Sequence, residues 1–325
     1  MHWHFENHNN VLMECCDSSS QVAMQREEFR QALRGIFVTT VTPFNSDLSV
    51  SEQGIRANVR FLVENEVNVI TPCGSIGEWS SLTREEAAKV ISATVDEAGG
   101  KVPVLAGASS TSTMEAAERA KIAEKAGADA ILLLPAFYMK YSLEGLIRHF
   151  RMVANNTSLP IVLYNAPDFL GFELSTAELV RIVDEVDGIV AIKDATTDML
   201  EFSNRLRVLK KVDVLLGNEP YCYHGLVAGS SGVFNSVSNF APHLMKKIYA
   251  AVSENRISEA REIYSRLTEY FAFRRGTKNP IAVVKQSMVR RGIKIEPFVR
   301  PPLAELSKEQ KEELTPIVDG MLESR

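Results

Sequence analysis

The chain has 325 residues, 45% hydrophobic and 24% charged, with a formal net charge of −5. That balance describes a globular chain long enough for one large core or two domains and excludes a disordered composition. No Lys/Arg-rich block accompanies the acidic charge, which argues against nucleic acid or an anionic membrane as partner and makes a small molecule the default ligand.

Met1 to Ser20 is rich in His, Asn and Ser and has no apolar signal core, so residues 1–34 are expected to be a loose extension outside the fold. Cys15, Cys16, Cys73 and Cys222 suit neither a disulfide framework nor zinc spacing, and no apolar stretch reaches membrane length. A reducing, cytoplasmic setting is the expectation.

From Gly35 the chain repeats an apolar, β-branched run, a turn, and an amphipathic helical stretch. The strand-like runs are Gly35–Phe44, Val67–Cys73, Val102–Ser109, Asp129–Pro135, Pro160–Pro167, Gly188–Thr196, Val212–Glu219 and Ser231–Val237. Helix starts are signalled by Ser51, Thr83, Ser112, Ser142 and Ser175, each followed by acid in the first turn. Eight alternations predict a closed (β/α)8 TIM barrel over 35–254, because parallel strands need crossover helices and eight of them close around a filled interior. A doubly wound open sheet is disfavoured by the lack of a Gly-rich dinucleotide fingerprint after the first strand. Beyond Pro242 the pattern is helical only: Pro242–Ser253 closes the barrel, and Ile257–Phe273, Pro280–Arg291 and Ser307–Glu323 form a C-terminal helical appendage over 255–325.

Within the sixth run, Gly188-Ile-Val-Ala-Ile-Lys-Asp-Ala-Thr196, Lys193 follows apolar residues in a strand that reads as buried on both faces. An ammonium there is either paired or neutral, and a desolvated, neutral amine condenses with carbonyls to a Schiff base. In barrels the chemistry sits at the C-terminal strand ends. Those ends supply Thr39 to Phe44, Pro72 to Glu78, Pro135 to Tyr138, Tyr164 to Pro167, Gly217 to Glu219 and Gly232 to Asn235. A lysine, two tyrosines and a serine at one mouth make sense for an imine mechanism, in which a tyrosine near the lysine shuttles protons and backbone N–H groups hold a carboxylate.

These residues resemble the dihydrodipicolinate synthase and N-acetylneuraminate lyase superfamily of class I Schiff-base aldolases and dehydratases. The resemblance runs from about Gly35 to Pro297, on Val41-Thr-Pro-Phe44, Gly74-Ser-Ile-Gly-Glu78, Glu144-Gly-Leu146, Tyr164-Asn-Ala-Pro167, Ile192-Lys-Asp-Ala-Thr196 and Asn279-Pro280. It implies that Lys193 is the Schiff-base lysine, Tyr164 the acid/base, Ser75 a proton relay and Tyr138 the second relay tyrosine, which in the synthases reaches in from a neighbouring subunit. Substrate contacts are expected from Thr42, Gly74, Ile76, Phe169, Gly217, Phe234 and Asn235, with Asn218, Glu219 and Trp79 reading the distal part. Ile76 stands where the family usually has Thr or Ser. Phe169 stands where the synthases carry an arginine for the second substrate's carboxylate, and an apolar ring cannot replace that fork. Glu78 is expected to fix its loop, and Asp194 to face the helix layer.

The implied function is a class I lyase acting on pyruvate or another 2-keto acid, with an aldehyde as a second substrate. A 4-hydroxy-tetrahydrodipicolinate synthase, a sialic-acid-lyase-like aldolase, a 2-keto-3-deoxy sugar acid dehydratase and a catalytically silent sugar-acid-binding barrel are the alternatives. Neither a metal nor an organic cofactor is expected, because the iminium on Lys193 is itself the electron sink. The resemblance also implies a homo-dimer or homo-tetramer.

Overall fold

The computed structural model describes residues 29–323. Eight parallel strands form the barrel: β1 (Gly35–Thr39), β2 (Val69–Thr71), β3 (Leu105–Gly107), β4 (Ala130–Leu133), β5 (Ile161–Asn165), β6 (Ile189–Asp194), β7 (Asp213–Leu216) and β8 (Gly232–Asn235). The sheet runs β2-β1-β8-β7-β6-β5-β4-β3, and a parallel bridge between Ile70 and Val104 closes β2 onto β3. Each strand lies inside its sequence run but is shorter than it. The runs extended into mouth residues that continue the apolar pattern without continuing the ladder.

Helices α1 (Glu52–Glu64), α2 (Arg84–Ala98), α3 (Thr113–Lys125), α4 (Leu143–Ala154), α5 (Thr176–Glu185), α6 (Met199–Val208), α7 (Cys222–Val227) and α8 (Pro242–Ser253) lie between and after the strands. All five expected start signals are N-caps: Ser51, Thr83, Ser112, Ser142 and Ser175 each accept a backbone N–H from the first turn, removing an orphan donor. The appendage comprises α9 (Ile257–Thr277), α10 (Pro280–Arg291) and α11 (Lys308–Leu322). Its Leu267, Tyr270, Val284, Met288 and Val318 share one apolar cluster with the outer face of the barrel.

Strand alternation sorts the two faces. Phe37, Val69, Leu105, Leu132, Val162, Ala191, Leu215 and Phe234 fill the barrel interior, whereas Ile36, Val38, Ile70, Ile131, Leu163, Ile192 and Val214 pack under the helices. The period of two that puts Ala191 inside also puts Lys193 inside and sends Asp194 outward. There Asp194 accepts from Asn165 Nδ2 (2.9 Å) and from Arg205 Nη1 (2.8 and 2.9 Å), as its expected outward orientation requires.

The extension expected over 1–34 lies outside the described residues up to position 28. Its last residues are not loose: Phe29 and Leu33 are buried in the interior cluster beside the start of β1. Two apolar side chains four apart, just before the first strand, were the missed signal. Among the described residues no helix is long and apolar enough to cross a membrane.

Candidate active site

Lys193 and Tyr164 face each other across the β5–β6 ladder, where they are register partners. Lys193 is buried, and its Nζ lies 3.9 Å from the centroid of the Tyr164 ring and 4.4 Å from that of Phe234. Among the described residues Nζ has no hydrogen-bond or ion-pair partner. Burial lowers its pKa to about 7, although Glu219 pulls the other way. That pull is blunted because the Glu219 carboxylate is already engaged. Its Oε1 accepts from Ser236 N and Val237 N (both 2.7 Å), and its Oε2 accepts from Ser236 Oγ (2.8 Å) and Arg274 Nη1 (2.5 Å). Aromatic faces favour an ammonium by about 1–2 kcal/mol, which does not offset removing it from water, so near-neutral solution populates the free amine.

Burial pushes the Tyr164 phenol's pKa up, and the neighbouring Ser75 hydroxyl limits that push. Ser75 sits in the loop after β2, a tight turn in which Gly77 N donates to Gly74 O (2.9 Å) and both Cys73 (φ 55°) and Glu78 (φ 54°) are left-handed. Such conformations cost about 1–3 kcal/mol each and persist only where packing enforces them. Three contacts do so. A Cβ on Gly107 would lie 1.9 Å from Cys73 O, so β3 approaches the loop only as glycine. Thr42 Oγ1 donates to Gly77 O at 2.6 Å. Glu78, buried, accepts from Lys285 Nζ (2.6 Å) and Arg300 N (3.0 Å), the loop-fixing role expected of it.

The cleft over Lys193 has a volume of about 180 Å³. Its lining includes Ser75, Ile76, Tyr164, Phe169, Lys193, Gly217, Asn218, Glu219, Phe234 and Asn235, so most expected site residues converge. Gly217 serves Lys193: a Cβ there would meet the lysine Cγ at 2.9 Å. Phe234 is buried against Phe37, ring centroids 4.7 Å apart, and forms floor beneath the amine rather than a distal wall. Asn235 spends its amide on Phe37 O (3.3 Å) and Ser238 N (2.8 Å).

Three expected contacts are corrected. Thr42 is fully buried and away from the cleft, because its hydroxyl is committed to Gly77 O. Gly74 turns the loop without lining the cleft, and Trp79 packs edge-on against Phe137, 6.2 Å between centroids, also off the lining. Tyr138 is 87% exposed with φ 85° and does not reach Lys193 of its own chain. Sequence reasoning missed Arg274, which enters the cleft from α9. Its signal was present: Ile263, Leu267, Tyr270 and Arg274 recur at 4, 3 and 4 residues, placing a charge on the buried stripe of a helix.

Residues 32–320 match the Dihydrodipicolinate synthetase family. The chain belongs to that family. It is accordingly a class I lyase whose chemistry runs through a Schiff base with a small keto acid. Members of the family similar to it include the 4-hydroxy-tetrahydrodipicolinate synthases of Archaeoglobus fulgidus, 37% identical over 88% of this chain and 98% of that one, and of Chloroherpeton thalassium, 36% identical over 90% and 95%. Among solved structures, the chloride-inhibited dihydrodipicolinate synthase of Acinetobacter baumannii complexed with pyruvate superposes with a TM-score of 0.84 at 30% identity, covering 89% of this chain and 99% of that one.

Proposed function

We propose that Lys193 is the imine-forming lysine of this lyase and that pyruvate, or a 2-keto acid that releases it, is the keto substrate. The observation that carries this reading is an unpaired, buried amine packed on the ring of a buried tyrosine that has the Ser75 hydroxyl as a neighbour. The Nζ lone pair attacks the C2 carbonyl, and Tyr164 hands a proton to the departing hydroxyl as the carbinolamine loses water. The resulting iminium withdraws electrons from C3. Loss of a C3 proton gives an enamine that adds to an aldehyde, and the reverse sequence cleaves the same bond. Ser75 connects Tyr164 to a second hydroxyl, which Tyr138 supplies from a neighbouring copy in a homo-oligomer. The exposure of Tyr138 beside Met139 and Tyr141 supports this assignment. The backbone N–H groups of Ser75 and Ile76 are suited to the keto acid's carboxylate.

A second reading, 4-hydroxy-tetrahydrodipicolinate synthase itself, is favoured by relatives of that name matching nearly the whole chain.

The test is reductive trapping: pyruvate with borohydride, then peptide mapping. A pyruvyl adduct on Lys193 and not on the other buried lysine, Lys285, is the expected result. No adduct, or one elsewhere, overturns the reading.

A further inference from the structure

The cleft over Lys193 does not end at its own rim. Asp168, Asn218, Pro220, Arg274 and Pro280 line both it and an outer cleft of about 600 Å³ along α9 from Tyr264 to Arg275. Arg274 stands on the shared wall and is only 9% exposed. Its Nη1 donates to Glu219 Oε2 (2.5 Å) and Ser236 Oγ (2.7 Å), and the Tyr270 hydroxyl is a further polar neighbour. A guanidinium carries five N–H donors; the two on Nη1 are engaged, and the three on Nε and Nη2 have no protein acceptor among the described residues. Arg274 itself borders open space of substrate size in both clefts.

The surrounding charge points the same way. Arg275 and Lys278 line the outer cleft beside Arg274, against the carboxylates of Asp168 and Glu219. Three cations meet two anions, and Glu219 is consumed by Arg274, Ser236 and Val237. A local positive excess on a chain of net charge −5 is a feature of this wall, not of the whole molecule.

We propose that the outer cleft binds the distal oxyanion, a carboxylate or a phosphate, of the substrate whose carbonyl carbon reacts over Lys193, and that Arg274 is the residue that selects it. The proposal deepens the function given above and rests on it for the position of the reacting carbon. Phe169, on the inner cleft, offers no donor, so selection for charge falls to α9.

Pyruvate is condensed with two matched aldehyde pairs: succinate semialdehyde against 4-hydroxybutanal, and glyceraldehyde 3-phosphate against glyceraldehyde. The expected result is a kcat/KM preference for the anionic member of about 10- to 150-fold in at least one pair, the range for a charge-assisted hydrogen bond. The larger preference identifies carboxylate or phosphate as the source. Arg274→Met removes the preference with far less loss for the neutral member, and Arg274→Lys restores part of it. Arg275→Gln and Lys278→Gln, both at exposed positions, weaken the preference without disturbing the core. Equal rates for both members of both pairs, or an Arg274→Met loss shared equally by charged and neutral aldehydes, overturn the proposal. Calorimetry of glutarate against butyrate on Lys193→Ala protein probes the anion site without the imine: tighter glutarate binding supports it, and equal binding overturns it. A failed borohydride trap on Lys193 would overturn the imine reading instead, so the two failures are separable.

Discussion

Lys193 and Lys285 are both buried, at 3% and 0% exposure, and desolvation lowers both ammonium pKa values, to about 7 and about 8. Their surroundings differ. Lys285 on α10 donates to Glu78 Oε1 and to Phe298 O, each at 2.6 Å, and lies 4.3 Å from the centroid of the Phe44 ring. Lys193 has two aromatic faces and a carboxylate that other donors have already claimed. Burial alone therefore does not make a nucleophile. An acceptor in contact keeps the amine's lone pair protonated, and its absence frees it. The two sites are also coupled in space: the Lys285–Glu78 pair fixes the loop whose Ser75 reaches Tyr164.

Removing each lysine in turn should separate these roles most sharply. Lys193→Met is expected to abolish turnover and trapping while leaving stability equal to or above wild type, because it deletes a desolvation cost. Lys285→Met strands Glu78 inside the protein with only the Arg300 N–H, and should cost about 3–5 kcal/mol by denaturant unfolding. Adding Glu78→Gln to Lys285→Met should recover part of that loss. If Lys193→Met proved the more destabilising of the two, the contrast would fail.

Tyr164→Phe tests the proton-transfer side at smaller amplitude. The ring still packs under Nζ, but the hydroxyl beside Ser75 is gone, so kcat should fall by roughly 10²-fold, the scale of a positioned acid/base, with trapping on Lys193 slowed rather than abolished. Wild-type kcat in that variant would move the shuttle elsewhere.

The unpaired lysine and the paired one differ also in how visible they are in sequence. Eight strand-like runs, five capped helices and the position of Lys193 follow from local patterns, since alternation along one strand decides which side chains face the barrel interior. What pairs with what is not local. Lys285 stands 207 residues from Glu78, and Arg274 stands 55 from Glu219, so nothing short-range marks either pair. Both cations do leave one trace, a charge on the apolar stripe of a helix: Lys285 follows Ile281 by four and precedes Met288 by three. Phe169 illustrates the converse. Its substitution for a family arginine is readable in sequence, but Arg274, which lines the same cleft from a helix more than a hundred positions later, is not. Tyr138 likewise cannot be placed by one chain, because its exposed ring meets nothing in its own cleft.

The smallest expected effect is a pH dependence that isolates the unpaired lysine. The folded pKa of Lys193, about 7, lies below its ordinary value of 10.5. Between those values the unfolded chain holds one proton more than the folded one, so stability rises with pH across that window, and the cost of burying the lysine is complete below it. One proton of difference corresponds to at most about 1.4 kcal/mol per pH unit. Lys285 contributes in the same direction above about 8, as do all other groups common to both proteins, so the quantity to measure is wild type against Lys193→Met. Glu219 and Tyr164, the titratable groups facing the amine, remain in both. Urea unfolding from pH 6 to pH 9 should show the variant's stability advantage largest at pH 6 and shrinking as the wild-type amine becomes neutral without strain. An advantage that stays constant over that range would mean that Lys193 is charged in the folded protein throughout, and one that shrinks at the full slope from pH 6 would mean that it is neutral throughout; either result would show that poise near neutrality is not a property of this site.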